Sequence, residues 1–154
     1  LPPEKWREYC MASVTTHDLP PTLGYLESEH VRLREQLGLL LEPVEQELAA
    51  AEQERSMWVE RLISFGVLDE ALAGDRVEVM LAMHRYLRLT NSKVLVASLA
   101  DAAGEKRAQN QPGTMDEYPN WRVPLADSEG RHLMLEDLFT ADLPRRLGEV
   151  MNGR

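Results

Sequence analysis

Two short runs of strand-forming residues frame this chain of 154 residues, and the sequence offers no third. The first, Met11 to Thr16, ends in Val-Thr-Thr, and β-branched residues favour the pleated surface of a sheet. It stops at His17-Asp18-Leu19-Pro20-Pro21, because proline cannot donate to a ladder and biases the residue before it away from helix. The second, Lys93-Val-Leu-Val-Ala-Ser-Leu99, has an unbroken apolar centre. That predicts burial on both faces, as in a parallel sheet. Helical periodicity fills the space between them, so the order reads strand, helices, strand, loop, helix, an α/β rhythm. Two parallel strands alone leave edges that need neighbours. The first residue is Leu rather than Met. Both observations lead us to expect that the numbering begins partway into something longer.

The helical readings are specific. From about Gly24 to Leu41, Leu26, Leu33, Leu37 and Leu40 recur at near-heptad spacing. Pro43 opens a second helix, because its missing N–H costs nothing in a first turn. Val44, Leu48, Ala51, Arg55, Trp58 and Leu62 then line one face, and Gly66 supplies the stop. Arg55 interrupts that stripe and reads as a snorkelling side chain or a buried ion pair. Asp75 is a natural cap for a third helix, Arg76 to about Leu89, with Val77, Met80, Leu81, His84 and Leu87 facing inward. The helix from Leu135 to Met151 contains Pro144, a point of interruption or restart. Trp6 and Tyr9 are candidate anchors for the first residues, and the seven methionines read as core filler.

Composition narrows the function. The formal charge is −9, which argues against nucleic acid or an anionic membrane as partner, since phosphate surfaces recruit an excess of Lys and Arg. No apolar run approaches the roughly 20 residues that cross a bilayer, and the charged first residues do not resemble a signal peptide. The single cysteine, Cys10, excludes an internal disulfide framework and fits a reducing compartment, hence a cytoplasmic location. We read it as a small buried hydrophobe.

Two segments could carry chemistry. His17 and Asp18 fall at the carboxyl end of a strand. A carboxylate beside an imidazole suits acid–base work, charge stabilisation, substrate hydrogen bonding or metal ligation. It fits equally a turn-capping aspartate next to a structural histidine, the commoner case for such a dipeptide. A metal phosphohydrolase would need the pair on a helix with further ligands, and His30, His84 and His132 show no ligand spacing. The second segment is Asn110-Gln-Pro-Gly-Thr-Met-Asp-Glu-Tyr-Pro-Asn-Trp-Arg122, within a long loop from Asp101 to Pro124. Amides and carboxylates bind sugar hydroxyls, and an aromatic ring packs on the apolar face of a pyranose. The plain alternative is a structured loop in which Trp121 and Tyr118 anchor packing and Arg122 pairs with a carboxylate.

Taken together, Ala12-Ser-Val-Thr-Thr-His-Asp-Leu-Pro-Pro-Thr-Leu-Gly-Tyr25 and the Asn110–Arg122 segment resemble the 4-α-glucanotransferases, or amylomaltases, of glycoside hydrolase family 77. The second motif resembles that family's Asn-x-Pro-Gly-Thr … Pro-Asn-Trp-Arg loop. The two lie roughly 90 residues apart in the family's order, and the resemblance extends over essentially the whole chain.

The resemblance implies a (β/α)₈ barrel, which needs about 250 residues even without insertions. Residues 1–154 would be its carboxyl-terminal segment, with residues 12–16 and 94–99 as the last two strands and a helical insertion over about 27–90. It implies a retaining transfer of α-1,4-glucan segments between maltooligosaccharides, with no cofactor and no metal. The family's third carboxylate, which stabilises the transition state, maps onto Asp18. His17, Asn110 and Pro112 map onto substrate-binding positions. The family's nucleophile lies in an Arg-x-Asp motif, which occurs nowhere in this sequence, and the acid/base Glu belongs to an earlier strand. We therefore expect the chain to be inactive alone. The missing part of the enzyme, or a second copy, would cover the barrel edges. Ala100-Asp101-Ala-Ala-Gly104 is a degenerate version of a family loop and carries no binding role. The alternatives are a non-catalytic helical interaction module derived from the barrel and a glucan-binding domain without catalysis.

Overall fold

The computed structural model describes residues 2–153. Strand β1 (Met11–Ser13) pairs in parallel with β2 (Val94–Val96), with Met11 opposite Val94 and Ser13 opposite Val96. The parallel pairing agrees with the expectation. The strands are shorter than predicted, for local reasons. The Thr15 hydroxyl donates to the Pro20 carbonyl and the Leu19 amide to the Thr16 carbonyl, so the chain is already turning at residues 15–16. After β2, the Ser98 hydroxyl accepts the Asp101 amide and caps a short helix, α5 (Leu99–Ala103), inside the predicted strand and loop.

Burial on both faces of the second strand is not observed. Val94 is 51% exposed, Val96 38% and Met11 70%. Ala12 is buried and β1 packs on the helices. The opposite face carries no element among the described residues, so alternate side chains reach solvent.

The single helix expected from Gly24 to Leu41 is two, α1 (Thr22–Leu26) and α2 (Glu29–Gln36). Ser28 between them sits at φ 61° in the left-handed region, which no α-helix continues through. α3 (Val44–Ser64) begins after Pro43 and ends before Gly66, whose φ of +68° reverses the chain. The side chain of Asp75 accepts the Val77 and Glu78 amides and starts α4 (Arg76–Leu87), as predicted. The last helical stretch divides into α6 (Leu135–Thr140) and α7 (Asp142–Asn152), with Pro144 in the first turn of the second.

The core gathers around α4. Val79, Met80, Leu81 and Ala82 are fully buried, against Leu23 and Leu26 of α1, Leu62 of α3, and Leu147 and Val150 of α7. One apolar stripe does not describe this helix, because α1, α3, α7 and β1 all pack on it. Arg55 is mostly buried but its guanidinium reaches the exposed carboxylate of Glu52, so the pair is not a buried one and the snorkelling alternative fits better. Met80 and Met83 fill the core, but Met11, Met57, Met115 and Met134 are exposed, because they lie on the open sheet face, the outer side of α3 and the surface loops. Tyr9 is also exposed and anchors nothing. Cys10 is half-buried, its Sγ donating to the Arg7 carbonyl. No helix among the described residues is long and apolar enough to cross a membrane.

Candidate functional site

His17 and Asp18 lie four and five residues past the end of β1, on a loop stiffened by Pro20 and Pro21 before α1. Both side chains are exposed, with His17 Nε2 3.3 Å from Asp18 Oδ2. Across from them Asn110 donates from Nδ2 to Asp18 Oδ1 at 2.7 Å. The rings of His17 and Trp121 lie 5.2 Å apart, tilted by 45°. The two motifs singled out in the sequence thus meet in space, each residue of the His-Asp pair contacting one residue of the polar loop.

That loop is shaped by its own side chains. Asn120 Oδ1 accepts the Gln111 amide at 2.8 Å, and Asn120 Nδ2 donates to Thr114 Oγ1 at 2.8 Å. The Tyr118 hydroxyl donates to the Ala108 carbonyl at 2.6 Å, and burial raises its pKa. The Trp121 amide donates to the Gln109 carbonyl at 2.8 Å. Tyr118 is therefore a packing anchor. Trp121 is not: it is 63% exposed and sits at φ 62°, a conformation bulky residues adopt only where surroundings impose it. Arg122 is exposed, and none of the ion pairs among the described residues involves it. Pro112 is exposed at the loop's turn and lines the same cleft as Asp18.

Two carboxylates, Glu105 and Asp101, are buried and fully engaged in hydrogen bonds, and neither was assigned a role from the sequence. Glu105, at the base of the loop, accepts the amides of Lys106, Arg107 and Ala126, each at 2.9 Å, and the Arg107 guanidinium at 2.7 and 3.0 Å. Burial alone would raise the Glu105 carboxyl, but the hydrogen bonds and charge of Arg107 and the Ala126 amide outweigh it and hold the group below the usual carboxylate range. Asp101 accepts the Thr22 amide and hydroxyl. Nothing in the local pattern around Glu105 separates it from a surface acid. Only the fold, which brings Ala126 back beside it, gives it partners.

Glu105 should tie stability to acid. Its folded pKa is depressed, so its contribution is present above the unfolded value of about 4.3 and is lost as pH falls through the folded one. We expect Glu105→Gln to destabilise the protein by about 1–3 kcal/mol at neutral pH. The gap to wild type should narrow below about pH 4. Urea midpoints measured from pH 3 to 7 check this, and a gap independent of pH would refute it.

A cleft of about 670 Å³ runs from Asp18 between α2 and the loop, lined among others by Leu33, Asn110, Pro112, Tyr118 and Arg122. At its wall, His30 stacks on Tyr25 with ring centroids 5.5 Å apart. Burial lowers the His30 pKa and raises that of Tyr25.

A carboxylate at the carboxyl end of a parallel strand, closed over by a polar loop, is the site arrangement of α/β catalytic domains. The chain belongs to the 4-α-glucanotransferases of glycoside hydrolase family 77, whose family model matches residues 1–129. Over 151 residues it is 53% identical to a 4-alpha-glucanotransferase of Mycobacterium tuberculosis, covering 98% of this chain and 21% of that protein. A 4-alpha-glucanotransferase of Haemophilus influenzae is 26% identical over 122 residues, 75% of this chain and 18% of its own length. The crystal structure of amylomaltase from Corynebacterium glutamicum superposes with a TM-score of 0.87 at 40% identity, over 97% of this chain and 22% of that one. The chain spans about a fifth of the length of the curated relatives it matches.

Proposed function

We propose that this chain is the carboxyl-terminal part of a 4-α-glucanotransferase and supplies Asp18, His17, Asn110 and Pro112 to an active site completed by the rest of the polypeptide. The observation that carries the reading is the 2.7 Å hydrogen bond from Asn110 to Asp18. It joins the two family-like motifs at the carboxyl end of β1, where a (β/α)₈ barrel places its chemistry. In this reading β1 and β2 are the last two barrel strands, and their open face, with Met11, Val94 and Val96 exposed, belongs to the barrel interior. The helices over about 27–90 form an insertion in the crossover between them.

The reaction is a retaining transfer between maltooligosaccharides. The nucleophile and the acid/base come from outside this chain. Its own residues bind and orient the sugar. Asp18 accepts hydrogen bonds from ring hydroxyls and opposes the positive charge that develops on the oxocarbenium-like transition state. Asn110 fixes Asp18 Oδ1, and Oδ2, which lies 3.3 Å from His17 Nε2, is offered to the sugar together with that imidazole. The exposed ring of Trp121 is a surface on which a glucosyl unit can pack. A neutral substrate suits the acidic chain, which a phosphorylated one would not.

The full-length enzyme incubated with maltotriose should release glucose and build longer oligosaccharides. Release of glucose alone, or no turnover, would overturn the reading. Asn110→Ala should lower transfer about tenfold, the worth of one hydrogen bond to a charged group. Unchanged transfer in that variant would remove Asn110 from the site.

A further inference from the structure

Behind the loop that carries Asp18 lies a buried polar cluster drawn from three elements. Asp101 on α5 has a fully buried side chain. Its Oδ1 accepts the backbone amide of Thr22 at 2.7 Å and its Oδ2 accepts the Thr22 hydroxyl at 2.8 Å. His84 on α4, also fully buried, donates from Nδ1 to the Met80 carbonyl at 2.9 Å, and its Nε2 lies 3.5 Å from Asp101 Oδ2 with no hydrogen bond between them. Thr22 opens α1 and is itself buried. A carboxylate taken out of water at this depth is costly unless its partners are fixed. It is an expensive way to hold a helix start that an exposed Ser or Asn could cap.

The chain between Thr22 and Asp18 explains what the cluster holds. Only Leu19, Pro20 and Pro21 intervene, and both prolines have a fixed φ, so motion at Thr22 is carried along the loop with little slack. The loop is pinned again at Pro20, whose carbonyl accepts the Thr15 hydroxyl at 2.8 Å. Asp101 follows β2, whereas Asp18 follows β1. The Asp101–Thr22 pair therefore ties α5, just after β2, to the start of α1, where the loop after β1 ends. It acts on the far end of the loop, whereas Asn110 contacts the Asp18 carboxylate itself.

We propose that Asp101 is a positioning residue for Asp18. It clamps Thr22 at both the amide and the hydroxyl and so sets where the Asp18 carboxylate stands in the active site. The proposal rests on the glucan-transfer reading for its kinetic consequence, but the clamp itself is a statement about the loop.

The test uses the full-length enzyme and the near-isosteric Thr22→Val, which deletes the hydroxyl contact and keeps the amide one. We expect kcat for maltotriose transfer to fall about tenfold, since small misplacements of a reacting group are costly. KM should stay within about twofold, and Thr22→Ser should restore kcat. Amide hydrogen exchange at residues 17–19 should quicken in Thr22→Val alone. A folded Thr22→Val with wild-type kcat and unchanged exchange would overturn the proposal, as would a kcat loss matched by an equal rise in KM. Should Thr22→Val not fold, Asp101→Asn is read by the same criteria. A wild-type enzyme that lengthens no oligosaccharide would refute the transfer reading instead, and the exchange measurement would still decide the clamp.

Discussion

Asp18→Asn in the full-length enzyme is expected to lower transfer from maltotriose by about 10²- to 10³-fold, with the folded structure unchanged. Asparagine has nearly the same shape, and its Oδ1 can still accept from Asn110 Nδ2 as Asp18 does at 2.7 Å. The side chain is about half exposed, so no buried charge is removed and stability should barely move. What disappears, on the proposed reading, is the negative charge facing the developing oxocarbenium ion. Hydrogen bonds to a ring hydroxyl that strengthen in the transition state supply several kcal/mol, and each ~1.4 kcal/mol is tenfold in rate. The loss should fall on kcat more than on KM, because the interaction is stronger in the transition state than in the ground state. Asn110→Ala makes the complementary change, keeping the charge and freeing its position. Wild-type turnover by Asp18→Asn would remove Asp18 from the chemistry altogether.

The meeting of Asp18 with Asn110 shows what could be read in advance. Short-range signals located both motifs: β-branched residues running into a double proline, and a polar loop rich in Asn, Gly and Pro. Helix ends were legible for the same reason. Asp75 and Gly66 act through bonds that span two to five residues. What escaped were features set by chain crossings. Glu105 gains its fifth hydrogen bond from Ala126, 21 residues on. Asp101 finds Thr22 across 79. Neither has a local signature, because the same residue in another fold would sit in water. The burial expected around Val94-Leu95-Val96 failed in an instructive way. Apolar composition records the environment a strand is built for, and here the described residues cover only one of its faces. The break at Ser28 was hidden because the leucine rhythm continues across it, although the backbone does not.

Gly24→Ala is the second large effect, and its sign runs against helix propensity. Gly24 lies within α1, where Ala would ordinarily gain about 1 kcal/mol. A Cβ at this position would stand 2.1 Å from the Lys106 carbonyl oxygen and 3.0 Å from its carbonyl carbon. Both are backbone atoms, so no side-chain rotation relieves the clash. Helix and loop must move apart, and such overpacking costs about 1–3 kcal/mol. Lys106 is a poor place to absorb the shift. Its amide is bound by Glu105, and its ammonium pairs with Glu27 at 2.9 Å. Displacement there is passed to Asn110, four residues on, and so to the carboxylate of Asp18. We therefore expect Gly24→Ala to lower the thermal midpoint and to reduce transfer by about 10²-fold, since a misplacement near 1 Å can have that effect. Gly38→Ala is the comparison for cost without clash. It has a positive φ but open space around it, so it should cost stability through backbone strain while leaving transfer near wild type. Equal activity losses in the two variants would show that the approach of α1 to Lys106 does not matter. A loss confined to Gly24→Ala would show that the one residue without a side chain in α1 lets the loop close on its site.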